Sequence, residues 1–199
     1  MIRVGLLGTG RIGRLHAETI ASHSESSLYA VSDIDSGSAN EIAVQYGAAL
    51  KSSKEIISDP NVDAILIATS TDTHAEFIEK ASLVGKSVFC EKPVDLSLSR
   101  AKECLNKVSV KNNPIMIGFN RRFDPNFAQL KRSLDDNEIG KSELLTITSF
   151  DPSPPPVSYV KTSGGLYRDM MIHDFDLSNF IMDELPVTIS AVGHSLINP

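Results

Sequence analysis

The sequence is poor in cysteine and in long apolar runs. Its two cysteines, Cys90 and Cys104, have a spacing that matches neither a disulfide framework nor a zinc knuckle. No apolar run approaches the roughly 18 residues of a membrane span, and the N-terminus lacks the basic, apolar and small-residue zones of a signal peptide. We therefore expect a cytoplasmic protein without a membrane partner.

Basic residues are not in excess either. The 19 lysines and arginines stand against 25 aspartates and glutamates, which gives a formal net charge of -6. A nucleic-acid surface needs clustered Lys and Arg, so the composition argues against a nucleic-acid partner and favours a small molecule. With 199 residues, of which 41% are hydrophobic, the chain can bury a core and has room for one domain plus part of another.

The most informative stretch is residues 2–16, IRVGLLGTGRIGRLH. An apolar run closes on Gly8, Gly10 and Gly13, which is typical of a buried parallel strand that turns into a helix and lets backbone N–H groups meet a pyrophosphate. Asp33 follows 20 residues after Gly13, the distance at which a carboxylate reaches the adenosine ribose. The combination predicts a dinucleotide site. The alternative is a tight strand-to-helix turn without a ligand.

The charges near Asp33 favour NAD over NADP. Asp35 adds a second carboxylate, and no Arg or Lys follows before Lys51. A 2′-phosphate would therefore meet repulsion with nothing nearby to neutralise it. We expect the cofactor to contact the glycine turn, Asp33 and residues that follow later strands: Gly8, Thr9, Gly10, Arg11, Ile12, Gly13, Asp33, Ser70, His74, Glu91 and Lys92.

Strands and helices alternate up to about residue 119. After the first strand, further strands are predicted at residues 28–34, 48–50, 62–68, 87–90 and 115–119. After the first helix, the helices are predicted at residues 37–46, 53–57, 73–84 and 98–108. This order predicts an α/β domain over residues 1–119, with a doubly wound parallel (Rossmann) sheet.

Residues 120–199 predict a smaller, incomplete α+β domain. An amphipathic helix carries Phe127, Leu130 and Leu134 on one face. Strands are expected at residues 143–150 and 187–197, separated by an extended proline-rich loop and one helix over 166–182. Two strands make only a marginal sheet with unpaired edges. We therefore expect either further sequence beyond Pro199 or strand pairing between the subunits of a homo-oligomer.

Candidate catalytic groups lie on this predicted helix and at the edge of the sheet. Asp169 and His173 are four residues apart and should share one helix face, with Asp176 further along it. Such a pair is more often a surface hydrogen bond, and a divalent metal held by these three residues is a second alternative. Lys92 follows the strand that ends at Cys90, where open α/β sheets bind ligands. Its alternative is a solvated lysine.

Four further side chains need an interpretation. Arg121 is a candidate to hold the substrate; alternatively, it and its neighbour Arg122 pair with Asp124 and Glu138 at the surface. His74, just past the central strand, is expected to touch the nicotinamide or the substrate, with a role near the helix cap as the alternative. We interpret His16 and Cys90 as packing residues.

Together, the motifs GTGRIG, AVSDID, VFCEKP, GFNRRFDP and GGLYRDMMIHDFDLSNF resemble the Gfo/Idh/MocA oxidoreductase family, most of all its inositol 2-dehydrogenase-type members. The resemblance spans the whole chain. It implies that the lysine of the EKP motif and the D-x-x-x-H pair, here Lys92, Asp169 and His173, form the catalytic set. We expect no metal ion in this site. Family members continue into a large, mostly antiparallel sheet, so the chain is expected to be truncated.

The implied activity is NAD-dependent oxidation of a secondary alcohol on a cyclic polyol or sugar. A histidine, with an ordinary pKa of about 6.5, suits His173 to the removal of the hydroxyl proton. Lys92 would stabilise the alkoxide-like oxygen, and Asp169 would orient the site or share the proton relay. These three residues and Arg121 would contact the substrate. The competing hypotheses are a non-catalytic NAD-binding protein or inactive fragment, and an NADP-linked sugar reductase.

Overall fold

A parallel sheet of six strands, in the order β3-β2-β1-β4-β5-β6, forms the framework of the chain. The computed structural model describes residues 1–151, 153–156, 159–160 and 163–194. Its strands are β1 Ile2–Leu7, β2 Ser26–Ser32, β3 Ala49–Leu50, β4 Ala64–Ile67, β5 Ser87–Cys90 and β6 Ile115–Ile117. All neighbouring strands are parallel, and the order reverses between β1 and β4. The predicted doubly wound sheet is confirmed.

The helices lie close to their predicted positions up to residue 135. They are α1 Arg11–Ser22, α2 Ser36–Tyr46, α3 Ser53–Ser58, α4 His74–Leu83, α5 Leu98–Val108 and α6 Pro125–Asp135, with short 3-10 turns at Thr71–Thr73 and Asn120–Phe123. The caps explain these ends. The Asp35 carboxylate accepts the N–H groups that begin α2, and Gly47, at φ 66°, ends it in the left-handed conformation.

Two apolar clusters cover the two faces of the sheet. Leu7, Ile65, Ile67 and Ile78 belong to one cluster, and Leu6, Ile42 and Leu66 to the other. Full burial of such a side chain stabilises the fold by about 1.5–3 kcal/mol. The central strands β1 and β4 contribute to both clusters, so their carboxyl ends form a rigid edge. Within the described ranges, no helix combines the length and apolar composition needed to cross a bilayer.

The predicted strands of the second segment are wrong. Residues 143–150 and 187–194 form no strand, and residues 195–197 lie outside the described part of the chain. An alternating pattern shows which side chains could share a face, but a strand also needs a partner for its backbone hydrogen bonds. Instead, residues 142–149 run alongside the helix Ile172–Met182. Ser142 Oγ contacts Met182 Sδ at 3.2 Å, and Ser149 Oγ donates to Asp174 Oδ1 at 2.7 Å.

The single helix predicted over residues 166–182 is also wrong. It is divided into α7, Gly165–Asp169, and α8, Ile172–Met182. The backbone N–H groups of Met170 and Met171 both donate to the Leu166 carbonyl, at 3.2 and 2.9 Å, which widens the turn and ends α7. The break separates Asp169, at the end of α7, from His173, in the first turn of α8. Their spacing of four residues therefore does not place them on one continuous helix.

Candidate active site

The glycine turn between β1 and α1 lies at the point where the strand order reverses. Gly8 has φ +96°, and a Cβ there would come within 2.4 Å of the Ala68 carbonyl oxygen at the end of β4. A Cβ on Gly13 would come within 2.0 Å of the Gly8 oxygen. Packing within the chain therefore requires glycine at these two positions. It does not require Gly10, whose Cβ would have no neighbour within 4 Å among the described residues.

The space beside Gly10 fits a dinucleotide pyrophosphate. Gly10 is the N-cap residue of α1, and in the part of the chain that the structure describes no side chain caps the first N–H groups of that helix. The first N–H groups of a helix need acceptors from outside the helix, and its positive dipole end favours an anion. Arg11 and Ile12 are the first residues of α1. The turn thus has the open approach and the unused donors that NAD would need.

Alanine substitutions at Gly10 and Gly13 should separate cofactor binding from folding. Gly10→Ala should leave the Tm unchanged, because φ −66° suits alanine and the Cβ meets no protein atom. Since that Cβ would occupy the cofactor space, NAD binding should weaken about tenfold or more, equivalent to roughly 1.4 kcal/mol. The matched variant Gly13→Ala should lower the Tm. Thermal unfolding and NAD titration check both; unchanged NAD binding in Gly10→Ala would contradict this placement of the cofactor.

Asp33 fastens this turn to the end of β2. Its Oδ2 accepts Thr9 N at 2.5 Å and Thr9 Oγ1 at 3.1 Å, and its Oδ1 accepts Asp35 N at 2.9 Å. Burial opposes ionisation, but these hydrogen bonds outweigh it and hold the pKa of Asp33 below its usual value. Asp33 is therefore a fixed anion at neutral pH. Its expected contact with the ribose stays a prediction, alongside this structural role.

Arg14 lies near the Asp33 carboxylate, and its position was not foreseen from the sequence. Arg14 Nη2 donates to Ser38 Oγ at 2.9 Å, and the same Ser38 hydroxyl contacts Thr9 Oγ1 at 3.0 Å. The premise that no cation lies nearby is therefore wrong. The charge of Arg14 is engaged by Glu41, 2.7 Å away, and the carboxylates outnumber it. The preference for NAD keeps its electrostatic basis.

Lys92 and Asp169 form the centre of the site at the carboxyl end of β5. Lys92 Nζ donates to the backbone oxygen of Asp169 at 2.8 Å and to its Oδ1 at 3.0 Å. An ammonium carries three N–H donors. Within the described residues these two oxygens are its only acceptors, so one N–H is left for a substrate oxygen. The side chains are 15% and 25% exposed, so the pair is not the solvated lysine of the alternative interpretation.

His173 lies beside this pair as a half-buried imidazole. Its Nδ1 is buried and has no hydrogen-bond partner in the described part of the chain. Burial, and then the charges of Lys92 and Arg121, lower the pKa of His173 below the ordinary value. The ring is therefore neutral at pH 7. A neutral imidazole is the form of histidine that can accept a proton.

The two arginines of the NRRFD motif pair with α8. Arg121 Nη1 donates to Asp174 Oδ1, and Arg122 donates to both carboxylate oxygens of Asp176, at 2.8 and 2.5 Å. The predicted partners Asp124 and Glu138 are wrong, because Asp124 caps α6 instead. With Asp176 engaged, the metal alternative loses a ligand, and no described cluster of His, Cys, Asp or Glu could hold a metal ion.

His74 connects the loops that follow β4 and β5. It is 2% exposed, with Nδ1 2.7 Å from the Pro93 oxygen and Nε2 3.0 Å from the Thr69 oxygen. A hydrogen bond from the ring to the cofactor or substrate would have to replace one of these contacts. The alternative, a residue at the N-terminal end of a helix near its cap, is confirmed, because His74 is the first residue of α4 and directly follows the N-cap Thr73. The cofactor contact expected of His74 stays a prediction, as does that of Ser70, which is exposed at the start of the 3-10 turn.

His16 packs against the core, as predicted, and also forms a polar contact with Glu91. Its Nε2 lies 2.7 Å from Glu91 Oε1, and its ring stands edge-on to Phe89 at 5.3 Å. Burial opposes ionisation of Glu91, but the hydrogen bond and charge of His16 lower the pKa of that carboxyl below its usual value. This pair links α1 to the residue before Lys92. Cys90 is buried, and burial raises the pKa of its thiol, so its interpretation as a packing residue is confirmed.

The sheet order and the uncapped glycine turn define a dinucleotide-binding protein of the Rossmann class. Comparison with family models then gives the particular family. Residues 2–119 match the model described as the oxidoreductase family, NAD-binding Rossmann fold, and residues 127–199 match the GFO/IDH/MocA C-terminal domain. The chain belongs to the Gfo/Idh/MocA oxidoreductase family, as the resemblance of its motifs indicated, and carries that family's NAD-binding domain.

Its relatives include inositol dehydrogenases. The chain is 46% identical to inositol 2-dehydrogenase of Rhizobium meliloti over 99% of its own length and 60% of that protein. The structure of myo-inositol dehydrogenase from Corynebacterium glutamicum is similar with a TM-score of 0.87 and 38% identity, covering 91% of this chain and 55% of that one. Scyllo-inositol dehydrogenase from Lactobacillus casei, with NAD(H) and scyllo-inositol bound, gives 0.78 and 29%, covering 92% and 56%. The chain thus spans little more than half the length of these relatives.

Proposed function

We propose that the chain carries the cofactor site and the catalytic residues of an NAD-dependent dehydrogenase that oxidises a secondary alcohol of an inositol-like cyclic polyol. One observation carries the proposal. A lysine held by two oxygens of Asp169, with one N–H unused among the described residues, lies close enough to His173 for its charge to help keep that imidazole neutral. The names of the inositol dehydrogenases that are similar to the whole chain support the substrate class.

In this mechanism each group acts on the carbinol. His173 accepts the hydroxyl proton, because its lowered pKa keeps the ring unprotonated at neutral pH. Lys92 donates its remaining N–H to the same oxygen and stabilises the negative charge that develops there. Asp169 holds Lys92 in place through two acceptor oxygens. NAD, held by the glycine turn, supplies the hydride acceptor.

The charges around Arg121 suit a neutral polyol. Arg121 is paired with Asp174, and Arg122 with Asp176, so neither guanidinium presents an uncompensated charge to the site. An acidic substrate would need such a charge, whereas hydroxyl groups need only donors and acceptors. We therefore propose that Arg121 and its partner carboxylate hold substrate hydroxyls.

NADH formation tests the proposal directly. The purified chain, with NAD and a panel of inositols and aldoses, should produce NADH, as followed by its absorbance, with at least one cyclic polyol as substrate. NADP in place of NAD should give slower turnover, because a 2′-phosphate would meet Asp33 and Asp35. NAD binding without turnover on any member of the panel would favour the non-catalytic alternative. Faster turnover with NADP would favour the sugar reductase.

The remaining expectations are proposals as well. We propose that residues 1–119 and 120–199 are separate domains and that the protein is a cytoplasmic homo-oligomer. Exposed apolar side chains in the second segment support an assembly: Leu144 is 84%, Phe150 88% and Val187 98% exposed. Such side chains are typical of surfaces that contact another subunit or a further part of the same chain.

A further inference from the structure

Two donors converge on one carboxylate oxygen at the centre of the site. Tyr159 Oη donates to Asp169 Oδ1 at 3.0 Å, and Lys92 Nζ donates to the same oxygen, also at 3.0 Å. Tyr159 lies in a helical turn three residues after the proline run of residues 152–156, whereas Lys92 follows β5. The hydroxyl therefore brings a residue of the second segment to the lysine of the first.

The surroundings of Tyr159 suit a hydrogen-bond donor. Partial burial, and then the hydrogen bond and charge of Asp169, raise the pKa of Tyr159, so the phenol keeps its proton at neutral pH. Among the described residues, the charges of Arg11, at the start of α1, and of Asp151 also act on it. Arg11 belongs to the glycine turn. The tyrosine is thus bonded to the Lys92–Asp169 pair and within electrostatic reach of the helix that follows the cofactor turn.

We propose that Tyr159 is a positioning residue of the active site, whose hydroxyl fixes the Asp169 carboxylate in the orientation that accepts Lys92. The inference rests on the proposed function. The last torsion of an aspartate side chain is broad, so one hydrogen bond leaves the carboxylate free to turn. A second donor on the same oxygen removes that freedom. The direction of the remaining N–H of Lys92 is then fixed, and it points to the position where the substrate oxygen would lie.

Removal of this hydroxyl should affect turnover rather than binding. Tyr159→Phe should lower kcat for the polyol about tenfold, the scale of one hydrogen bond to a charged group. KM for the polyol and the Kd of NAD should stay close to those of the wild type, because the phenyl ring keeps the packing. The matched control is Tyr167→Phe, which removes the hydroxyl of a tyrosine of similar exposure on α7. A kcat for Tyr159→Phe equal to that of Tyr167→Phe would overturn the proposal.

A spectroscopic titration tests the contact without turnover. The chain has four tyrosines and no tryptophan, so tyrosine ionisation can be followed by absorbance without an indole background. The wild type should contain a tyrosine that titrates above the ordinary pKa of about 10. Tyr159→Phe should remove that transition, and Asp169→Asn should move it to lower pH. An unchanged transition in Asp169→Asn would overturn the inference. A wild type without turnover but with the expected titration would instead contradict the proposed function and support the contact.

Discussion

Replacement of His173 by alanine should lower kcat/KM for the polyol by about 10²–10⁴-fold and leave the Kd of NAD unchanged. This is the loss expected when a general base is removed. Among the described residues Nδ1 has no hydrogen-bond partner that the substitution would remove, so the loss of such a bond would not explain the effect. The glycine turn that holds NAD lies on other elements, so cofactor binding should not follow the substitution. Steady-state kinetics and NAD titration measure the two effects.

The control for this variant is His194→Ala, which removes an exposed histidine from the second segment and should retain wild-type kinetics. An equal loss of NAD affinity in His173→Ala would contradict the assignment of His173 as base, since the residue would then serve the cofactor site. A kcat/KM within threefold of the wild type would contradict it as well, because that is far below the effect of general-base removal, which is roughly a hundredfold at least.

The first domain was predictable because its signals are local. Strand β4 is a continuous apolar run, as burial on both faces demands, and the glycine turn follows β1 without a gap. Gly8 and Gly13 are required by contacts within a few residues of the turn or with the next strand of the sheet. Such signals need only the sequence in one window and the rule that parallel strands end at the same edge.

The contacts that assemble the site were not predictable from any such window. Lys92 and Asp169 are 77 residues apart, and His16 and Glu91 are 75 apart. The motifs named these residues as candidates for a site or for the core, but the sequence paired Asp169 with His173, its neighbour in the chain. The structure pairs it with Lys92 and Tyr159. The wrong pairing followed from the assumption of one continuous helix.

No residue type in the sequence marks the break between α7 and α8. Met170, Met171 and Ile172 are all compatible with a helix, so the helical pattern of apolar residues continues through them. What ends α7 is the backbone geometry at Leu166, whose carbonyl accepts two N–H groups. The expected strand at residues 143–150 failed for a related reason. Its alternation is real, but pairing depends on a neighbouring strand that no local pattern specifies.

Replacement of Lys92 by glutamine should have two effects, on rate and on pH dependence. The loss of a cation that donates to the developing alkoxide should lower kcat/KM by about 10²–10³-fold. The charge of Lys92 also helps to lower the pKa of His173. In the wild type, the midpoint of the acid limb in the pH profile of kcat/KM should therefore lie below pH 6.5, the ordinary pKa of histidine. Without the cation, His173 is protonated more easily, so this midpoint should move to higher pH.

The limb should not reach the ordinary value, because burial is the largest cause of the lowered pKa and the glutamine leaves it in place. Lys102→Gln is the matched control: it removes one positive charge from the exposed side of α5 and should change neither the rate nor the limb. An acid limb that stays in place in Lys92→Gln would mean that the titrating group is not His173, or that the ammonium does not face it. A limb that moves while the rate stays constant would separate the electrostatic role of Lys92 from its role as a donor to the substrate.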